Sequence, residues 1–497
     1  MKRYRVLCVL ILGLVQLSNS LVAQNNSDSL ALDMQGSINL LLQQNPDIKV
    51  ANQALMQNEY ERKSARGLYM PQVGLNATFG MQNQPAKLDL SPIGDALEGL
   101  YTLSAGQTQL MQGITQAVSP ALATQLNPQF QQLLAGSQQG LQAVQNAEWE
   151  KTLVEDKLGT VSANLTWPIF TGGKIFAANS AAKAKENENK EKVRMISNSQ
   201  ITSLVQRYYG LILAVEVANV RMQVSQGMLE HLNNARKMEK NGLSPEAERL
   251  HAEVAYAEAQ RELKKAQKDV DLMQTALKSV LNVSQPIKTT NQLFISDDIQ
   301  MLDDYIARAK QQNPVFGQLD QKKIQADQAI RKERSAYLPD VAIMGSYELY
   351  GYQMPEFMPE WYVGVGLKVN LFDGLAKNNK VQAAKIQRSQ VDSYQEKAQL
   401  DITTGVTKVY QQMLQAKEQY ESSLVSLKFA QEYVRVRQKA FNEGFATSTE
   451  VVDANMNLSK VKVEQLKAMY DFDVALALLL ELTGDSQSFT KYTLSSN

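Results

Sequence analysis

The chain contains the same segment twice. Residues 43–75 align with residues 311–343 without a gap, at an offset of 268. Each copy opens with Gln-Gln-Asn-Pro and closes with Arg-x-x-Tyr-x-Pro-x-Val. A duplicated unit of this length predicts an architecture built by repetition around an axis, because repeats constrain a fold more strongly than a local motif does.

The offset between the two copies changes once along the chain. From Phe170 and Phe372 to Gly242 and Gly444 it is 202 rather than 268. The difference of 66 residues predicts a single extra segment in the first copy, at about residues 81–153. This segment is rich in Gln, Ala, Leu, Gly and Ser, and we expect partly helical loop structure there.

The first 23 residues have the three-part pattern of an export signal. A basic start precedes an apolar stretch at residues 6–17 and a small-residue end at residues 18–23. The apolar stretch is too short to cross a bilayer, and we expect cleavage after Ala23. The only cysteine, Cys8, lies within the signal, so we expect neither a disulfide nor a lipid anchor in the mature chain.

Charge and composition exclude several classes of function. Lys and Arg together number 51, as do Asp and Glu, so no basic excess favours nucleic acid. Two histidines and no mature cysteine give metal or nucleophilic enzyme chemistry little to work with. We therefore predict no catalytic residue, no metal site and no cofactor.

Long stretches rich in Ala, Gln, Glu, Lys and Leu predict helices. A helix of ~65 residues is ~100 Å long at ~1.5 Å per residue, which is the dimension of a coiled-coil cylinder or stalk rather than of a compact core. The predicted helices cover residues 28–66, 174–240, 245–281, 297–336, 375–442 and 448–482.

Matching turns interrupt these helices in the two copies. Gly242 and Gly444 suit the left-handed position that ends a helix. Ser244 and Thr447 suit the N-cap of the next helix, and each is followed by a residue that suits the first turn. Each copy is therefore predicted to contain an antiparallel helical hairpin with a tight tip.

Four segments alternate apolar residues with small or polar residues, as strands do when one face is buried. The same alternation occurs in soluble sheets. Three features favour strands of a membrane β-barrel instead. The chain is exported, the segments are isolated between very long helices, and the polar face of the last segment carries Gly and Lys. Four strands cannot close such a barrel, so several chains are required. The strands lie at about residues 69–80, 158–171, 338–350 and 361–372.

These features, in this order, resemble the TolC family of outer-membrane efflux and secretion channels. The resemblance covers almost the whole mature chain except residues 81–153. It implies a mainly α protein with a small membrane β-barrel: a homotrimer with four strands per chain in a shared twelve-stranded barrel and a long α-helical coiled-coil periplasmic tunnel. Its motifs are the strand starts Tyr69–Val73 and Tyr337–Val341, the strand ends at residues 167–173 and 369–374, and the tips around Gly242 and Gly444.

The resemblance also divides the chain into repeats. The first repeat is expected at residues 24–282, with the insertion at 81–153 and a helical hairpin at 174–282. The second is expected at residues 299–483, with a hairpin at 375–483. An equatorial linker at residues 283–298 joins the repeats, and an equatorial tail follows at residues 484–497.

The resemblance gives the tips and the following helix their roles. Glu450 and Asp453, six and nine residues after the second tip glycine, occupy the positions of an acidic ring at the periplasmic entrance. Such a ring concentrates negative potential and favours cations. The alternative is a pair of solvated carboxylates at a helix start. The expected adaptor-docking residues are Gly242, Leu243, Ser244, Gly444, Phe445 and Ala446.

The first repeat differs from the second at the equivalent positions. Glu248 and His251 stand where Glu450 and Asp453 stand in the second repeat. His251 and His231 are each expected to be solvated rather than to bind metal. Ala446 and Phe441 replace the Arg and Tyr that close the entrance in better-known members of the family. The closed state is therefore held differently here, or less tightly.

The resemblance implies a passive trimeric exit duct in the outer membrane of a Gram-negative bacterium, extending into the periplasm. Its implied partners are two further copies, outer-membrane lipid, a periplasmic membrane-fusion adaptor and an inner-membrane transporter of the RND or ABC type. Small amphiphiles, peptides or proteins, and metal cations all stay open as cargo. The alternative is an exported coiled-coil structural or adhesion protein without channel activity.

Overall fold

The computed structural model describes residues 29–494. The predicted signal at residues 1–23 and the last three residues of the predicted tail lie outside the described residues. The described chain divides into two compact units. The first comprises the residues up to Ala65, Ala177–Arg331 and the residues from Asn378 onwards, and the second comprises Arg66–Phe176 and Lys332–Lys377.

Two long helices occupy each of the two predicted hairpins. Within residues 29–494, no helix is both long enough and apolar enough to cross a membrane. The helices are α1 (Met34–Gln44), α2 (Pro46–Gly67), α3 (Ser91–Val118), α4 (Pro120–Gln145), α5 (Lys174–Lys240), α6 (Glu246–Leu281), α7 (Leu302–Gln312), α8 (Pro314–Ser335), α9 (Ala376–Asn442), α10 (Ser448–Leu482) and α11 (Phe489–Leu494).

The helices predicted at residues 28–66 and 297–336 are each divided in two, so the prediction of continuous helices was wrong. The breaks fall at Asn45 and Asn313, each followed by proline. Asn45 has φ −61° and ψ 127°, and Asn313 has φ −62° and ψ 124°. A residue before proline is disfavoured in the helical region, whereas proline is well suited to the first position of the next helix.

The same two asparagines tie the short helices to the ends of the long hairpins. The side-chain amide of Asn45 donates to the carbonyl oxygen of Val280 at 3.2 Å. The amide of Asn313 donates to the carbonyl oxygen of Leu482 at 2.9 Å. These partners are related by the same offsets as the sequence repeat, and both satisfy a buried polar group. The duplication is therefore present as equivalent contacts.

The main hydrophobic core of the first unit is aromatic at its centre. The ring of Tyr209 lies 5.9 Å from Phe294 and 5.8 Å from Phe489, and Phe294 lies 6.3 Å from Phe472. Phe294 comes from the linker predicted at residues 283–298, and Phe489 begins α11 in the tail. The linker also carries β6 (Ile287–Thr289), which pairs in parallel with β1 (Leu30–Leu32). Both predicted equatorial segments thus pack into the core.

The second unit contains a four-stranded antiparallel sheet in the order β2-β5-β7-β8. The outer strands β2 and β8 each have one partner among the described residues. Apolar side chains stay exposed along both outer strands, including Leu75 at 74 % and Val365 at 71 %. The strands are β2 (Gln72–Met81), β5 (Lys157–Thr171), β7 (Asp340–Tyr352) and β8 (Trp361–Lys368).

Two strand ends differ from the prediction. The strand predicted to end at residue 372 ends at Lys368, because Lys368 pairs with Asp340, the first residue of β7, and the ladder has no partner beyond it. The strand predicted from residue 69 begins at Gln72. The amide of Tyr69 donates to the carbonyl oxygen of Arg66 at 3.1 Å, so Tyr69 belongs to the turn that ends α2.

The segment at residues 81–153 is more ordered than the predicted partly helical loop. A two-stranded ribbon of β3 (Ala86–Asp89) and β4 (Glu150–Val154) leads into the antiparallel helices α3 and α4. Pro92 lies in the first turn of α3 and Pro120 begins α4, positions that proline favours. The insertion is therefore a helical hairpin on a β-ribbon.

Candidate functional site

The two hairpin tips are built alike. Gly242 and Gly444 have φ of 70° and 82°, in the left-handed region that glycine adopts without strain. In the first tip the amide of Leu243 donates to the carbonyl oxygen of Met238 at 2.9 Å. In the second the amide of Phe445 makes the equivalent bond at 2.8 Å. Each tip is therefore a Schellman turn, which satisfies carbonyl groups at the end of α5 or α9.

The residue after each tip glycine is a large apolar side chain that faces solvent. Leu243 is 70 % exposed and Phe445 is 84 % exposed. In a Schellman turn this side chain commonly packs back on the helix that has just ended. Here the neighbouring Ser244 and Ala446 are partly covered instead. The apolar contact area at the tips is therefore available to another molecule.

The helix after the second tip begins with a complete capping box. The hydroxyl of Thr447 accepts from the amide of Glu450 at 3.3 Å, and the carboxylate of Glu450 accepts from the amide of Thr447 at 2.9 Å. The guanidinium of Arg437 also donates to Glu450 at 3.1 Å. Asp453 lies one turn later and is exposed. Glu450 is therefore hydrogen-bonded to Thr447 and Arg437. No hydrogen bond of the Asp453 side chain is present among the described residues.

The helix after the first tip begins differently. Pro245, and not the predicted Ser244, occupies the N-cap of α6, and no side chain caps this helix. The carboxylate of Glu248 instead crosses to the other hairpin and accepts from the amide of Ser448 at 2.7 Å. A carboxylate at a helix N-terminus is favourable because it meets unpaired amides and the positive end of the helix dipole.

His231 joins the same junction from α5. Its Nε2 lies 2.6 Å from the hydroxyl oxygen of Ser448, and its ring packs 4.6 Å from the ring of Phe441. Only 1 % of His231 is exposed, so the prediction that it is solvated was wrong. The reason is that His231 packs on Phe441, which forms a small apolar cluster with Leu232 and Val451. His251 is exposed, as predicted.

The burial of His231 changes its acid–base behaviour. Burial lowers the pKa of His231 to about 4; the carboxylate of Glu248 acts in the opposite direction, and the nearby imidazole of His251 adds to the lowering. The imidazole is therefore neutral at neutral pH. Its Nδ1 has no hydrogen-bond partner among the described residues. The burial of His231 could not be predicted from the sequence, because the residues around a histidine on a charged helix do not show whether another helix covers it.

Phe441 and Ala446 stand where better-known members of the family are expected to have the Tyr and Arg that close the entrance. The two residues have different environments here. Phe441 is 2 % exposed and holds the apolar cluster together. Ala446 packs against the edge of this cluster. The structure therefore brings both tips, Glu248, His231 and Ser448 into one junction.

Comparison with solved structures identifies the class of this fold. The chain superposes on a membrane protein from Pseudomonas aeruginosa with a TM-score of 0.69 at 12% identity, covering 92% of each chain. It superposes on the CmeC outer membrane channel of Campylobacter jejuni with a TM-score of 0.68 at 14% identity, covering 93% of this chain and 89% of that one. The chain therefore has the fold of these solved structures, and the predicted TolC-like fold class is confirmed.

The family follows from the sequence comparisons. The profile of the family described as "Outer membrane efflux protein" matches residues 305–485, which span most of the second repeat. This region is therefore similar to that family, which agrees with the predicted TolC resemblance and with the predicted outer-membrane location. The chain is also 22% identical to Protein CyaE of Bordetella pertussis over 272 residues. That match covers 53% of this chain and 57% of CyaE, so it spans little more than half of either protein.

Proposed function

We propose that three copies of this chain form a passive exit duct through the outer membrane and periplasm, as the outer-membrane component of a tripartite efflux system or a type I secretion system. The duct receives its cargo from an inner-membrane transporter of the RND or ABC type through a periplasmic adaptor. The proposed duct is passive, so the energy for transport comes from that transporter.

The open sheet is the observation that carries this proposal. Strands β2 and β8 each present a row of backbone groups without a partner among the described residues. In a bilayer each unsatisfied backbone group costs several kcal/mol, so these edges must pair. Joining β2 of one copy to β8 of the next closes the sheets into a barrel, and three copies supply twelve strands.

The exposed side chains of the outer strands agree with this arrangement. Leu75 and Val365 belong to alternating rows of apolar residues that remain exposed in a single chain. Asn76 follows Leu75 and points to the opposite face, because successive side chains of a strand alternate. One face would therefore contact lipid and the other would line the duct. The alternative of an exported structural protein without channel activity gives no reason for this alternation on open strands.

The decisive test combines stoichiometry with conductance. Detergent-purified protein is expected to have three times the mass of the mature chain by light scattering, and to conduct ions in a planar bilayer. A monomer that stays in solution without detergent would refute the proposal. A stable trimer without conductance under any voltage or pH would favour the structural alternative.

Matched variants test the two faces of the sheet. Leu75→Arg places a charge in the lipid and is expected to cost about 2–4 kcal/mol of insertion free energy, so heat-resistant trimers in the outer membrane should fall strongly. Asn76→Arg places the same charge in the duct. It should leave trimer yield unchanged and shift the single-channel conductance or its ion preference. Equal loss of trimers in both variants would contradict the assigned faces.

We propose that the tips dock the adaptor. Leu243 and Phe445 are the exposed apolar groups of two hydrogen-bonded turns, and such groups are typical anchors of an interface. Gly242 and Gly444 allow the partner to approach the backbone closely, and Ser244 and Ala446 form the sides of the contact. Phe445→Ser should reduce adaptor binding in pull-downs and reduce export, with trimer mass and conductance unchanged. Normal export and normal adaptor binding in the Leu243→Ser, Phe445→Ser double variant would refute the docking assignment.

We propose that Asp453 and Glu450 contribute a negative ring at the periplasmic entrance. Three copies of each carboxylate around a narrow opening would favour cations. Since Arg437 pairs with Glu450 at 3.1 Å, the exposed Asp453 is expected to contribute the larger share of the potential.

A further inference from the structure

The helical hairpin of α3 and α4 carries its apolar side chains on the outside. Of the large apolar residues of α3, eight are exposed by more than a third, whereas α4 has two such residues. Leu100, Leu103, Leu110 and Val118 are each at least 62 % exposed. Monomeric proteins rarely leave so much contiguous apolar surface uncovered, and a large patch marks an interaction site.

The contact between α3 and α4, in contrast to the exposed face of α3, is made mainly by small and polar side chains. The hydroxyls of Ser104 and Ser137 lie 3.3 Å apart, and the amide of Gln112 donates to Asn127 at 2.8 Å. Gly140 lies directly against the ring of Tyr101. The leucines of α3 are therefore not the core of this hairpin, and its apolar face remains without a partner in a single chain.

The charge pattern decides what covers this face. Residues 99–147 contain no Asp, Glu, Lys, Arg or His, and no Lys or Arg occurs between Lys87 and Lys151. Helices that lie on a membrane surface carry Lys and Arg on their polar face to meet anionic headgroups. This hairpin has none, and its two charged residues, Asp95 and Glu98, are acidic and lie in the first two turns of α3. A lipid surface is therefore a poor occupant.

A second copy of the same hairpin is a good occupant. Identical uncharged helices meet without like-charge repulsion, which otherwise opposes contacts between equal surfaces. Gly99, Gly106 and Gly113 recur every seven residues on α3, and nothing lies within 4 Å of a side chain added at any of them. With Leu103 and Leu110 between them, they form the seam that lets helices supercoil closely.

The position of the hairpin brings copies together. It is inserted between β2 and β5, and the amide of Gln82 donates to the carbonyl oxygen of Asp156 at 2.8 Å where the sheet continues into the ribbon. The chain runs from the outer strand β2 through β3 into α3, and β2 is the strand that pairs with the next copy in the proposed duct. Helix α3 is therefore connected to the strand at the interface between copies.

We propose that the α3 faces of the three copies pack against one another as a self-associating helical bundle that extends the trimer beyond its strands. This inference rests on the proposed trimeric duct. The bundle adds apolar burial between copies, and its contact is made by Leu103, Leu110 and the glycines between them.

Single cysteines test the bundle directly, because Cys8 in the predicted signal is the only native cysteine. In detergent-purified trimers, Leu103→Cys and Leu110→Cys are expected to join copies after oxidation or treatment with a short bis-maleimide. One link joins two copies, so up to two of every three chains should run as dimers in denaturing gels. Gln139→Cys, on the side of α4 away from α3, is the matched control and should give few dimers.

A second variant reports on the energetic contribution. Leu103→Ser with Leu110→Ser should lower the temperature at which trimers dissociate in SDS, while conductance persists. Conducting trimers that show no linkage at either leucine and no change in heat resistance would overturn the bundle and leave the duct intact. A monomeric, non-conducting protein would instead refute the duct itself.

The same cysteines identify other occupants. A polarity-sensitive dye on the Leu110→Cys variant should show the same emission in detergent-purified trimers with and without added liposomes. A blue shift caused by phosphatidylethanolamine–phosphatidylglycerol liposomes, without linkage between copies, would assign the face to lipid and overturn the proposal.

Discussion

Removing the hydroxyl of Ser448 should loosen the junction between the two tips. Ser448 is fully buried, and its hydroxyl oxygen lies 2.6 Å from Nε2 of His231. Since Nδ1 of His231 already has no partner among the described residues, Ser448→Ala leaves the buried imidazole with neither nitrogen bonded. An unsatisfied buried polar group costs about 1–3 kcal/mol, and the backbone bond from Ser448 to Glu248 is retained.

Hydrogen exchange is the measurement that resolves this local change. A loss of about 1–3 kcal/mol in local opening free energy accelerates amide exchange by roughly 5- to 150-fold. Peptides covering residues 440–455 should show this acceleration in the Ser448→Ala trimer. Peptides covering residues 466–480, which lie in the main core, should exchange at the native rate because the substitution does not reach them.

A neighbouring hydroxyl provides the control. Thr449 is exposed, so Thr449→Ala removes a hydroxyl from the same turn without touching His231. Its exchange pattern should match that of the native protein. Native exchange rates at residues 440–455 in Ser448→Ala would refute the assigned contact, and acceleration throughout the chain would show a global effect instead.

The remaining predictions concern pH, the repeat contacts and the entrance. The pKa of His231 is lowered to about 4, so the stabilisation of the tips by its neutral imidazole is complete above pH ~6.5 and is lost as pH falls towards 4. Amide exchange at the tips, corrected for the intrinsic effect of pH, should be roughly tenfold faster at pH 5.5 than at pH 7.5. A corrected rate that does not depend on pH would contradict this. Asn313→Ala should lower stability by about 2–4 kcal/mol through loss of a cap and of the tie to Leu482, measured as a lower unfolding temperature. Asn313→Ser keeps an oxygen that can cap α8 but is too short to reach Leu482, so it should lose less; equal losses would refute the capping role of Asn313. Glu450→Ala with Asp453→Ala should weaken cation selectivity and block by multivalent cations, and unchanged reversal potentials would remove the ring.

Sequence reasoning succeeded where a pattern repeats over many residues. The helices α5 and α10 begin and end at the predicted residues, because glycine and capping residues mark their ends. It failed at Asn45 and Asn313, where a single Asn-Pro pair overrides a long helical pattern. It also could not predict the burial of His231, since that depends on Phe441 from a segment about two hundred residues away. Periodic features are encoded locally, whereas cross-hairpin contacts are not.

Equivalent carboxylates of the two repeats cap the same helix. Glu248 and Glu450 differ by the repeat offset of 202, yet both accept backbone amides at the start of α10, from Ser448 and Thr447 respectively. The first unpaired amides of one helix are thus satisfied by both repeats, and α6 has no side-chain cap. A capping carboxylate must stay in place to keep its hydrogen bonds, so Glu450 is fixed both by Thr447 and by Arg437.

The two members of the proposed acidic ring, Glu450 and Asp453, differ in their partners. The first-repeat equivalent of Arg437 is Ala235, so the neutralising partner of Glu450 belongs to the second repeat alone. Asp453 has no such cationic partner among the described residues, and its side chain is exposed. Asp453→Asn should therefore reduce cation selectivity more than Glu450→Gln, whereas Glu450→Gln should destabilise the start of α10 and accelerate its amide exchange. A larger selectivity loss in Glu450→Gln would show that Arg437 does not screen the carboxylate in the conducting trimer.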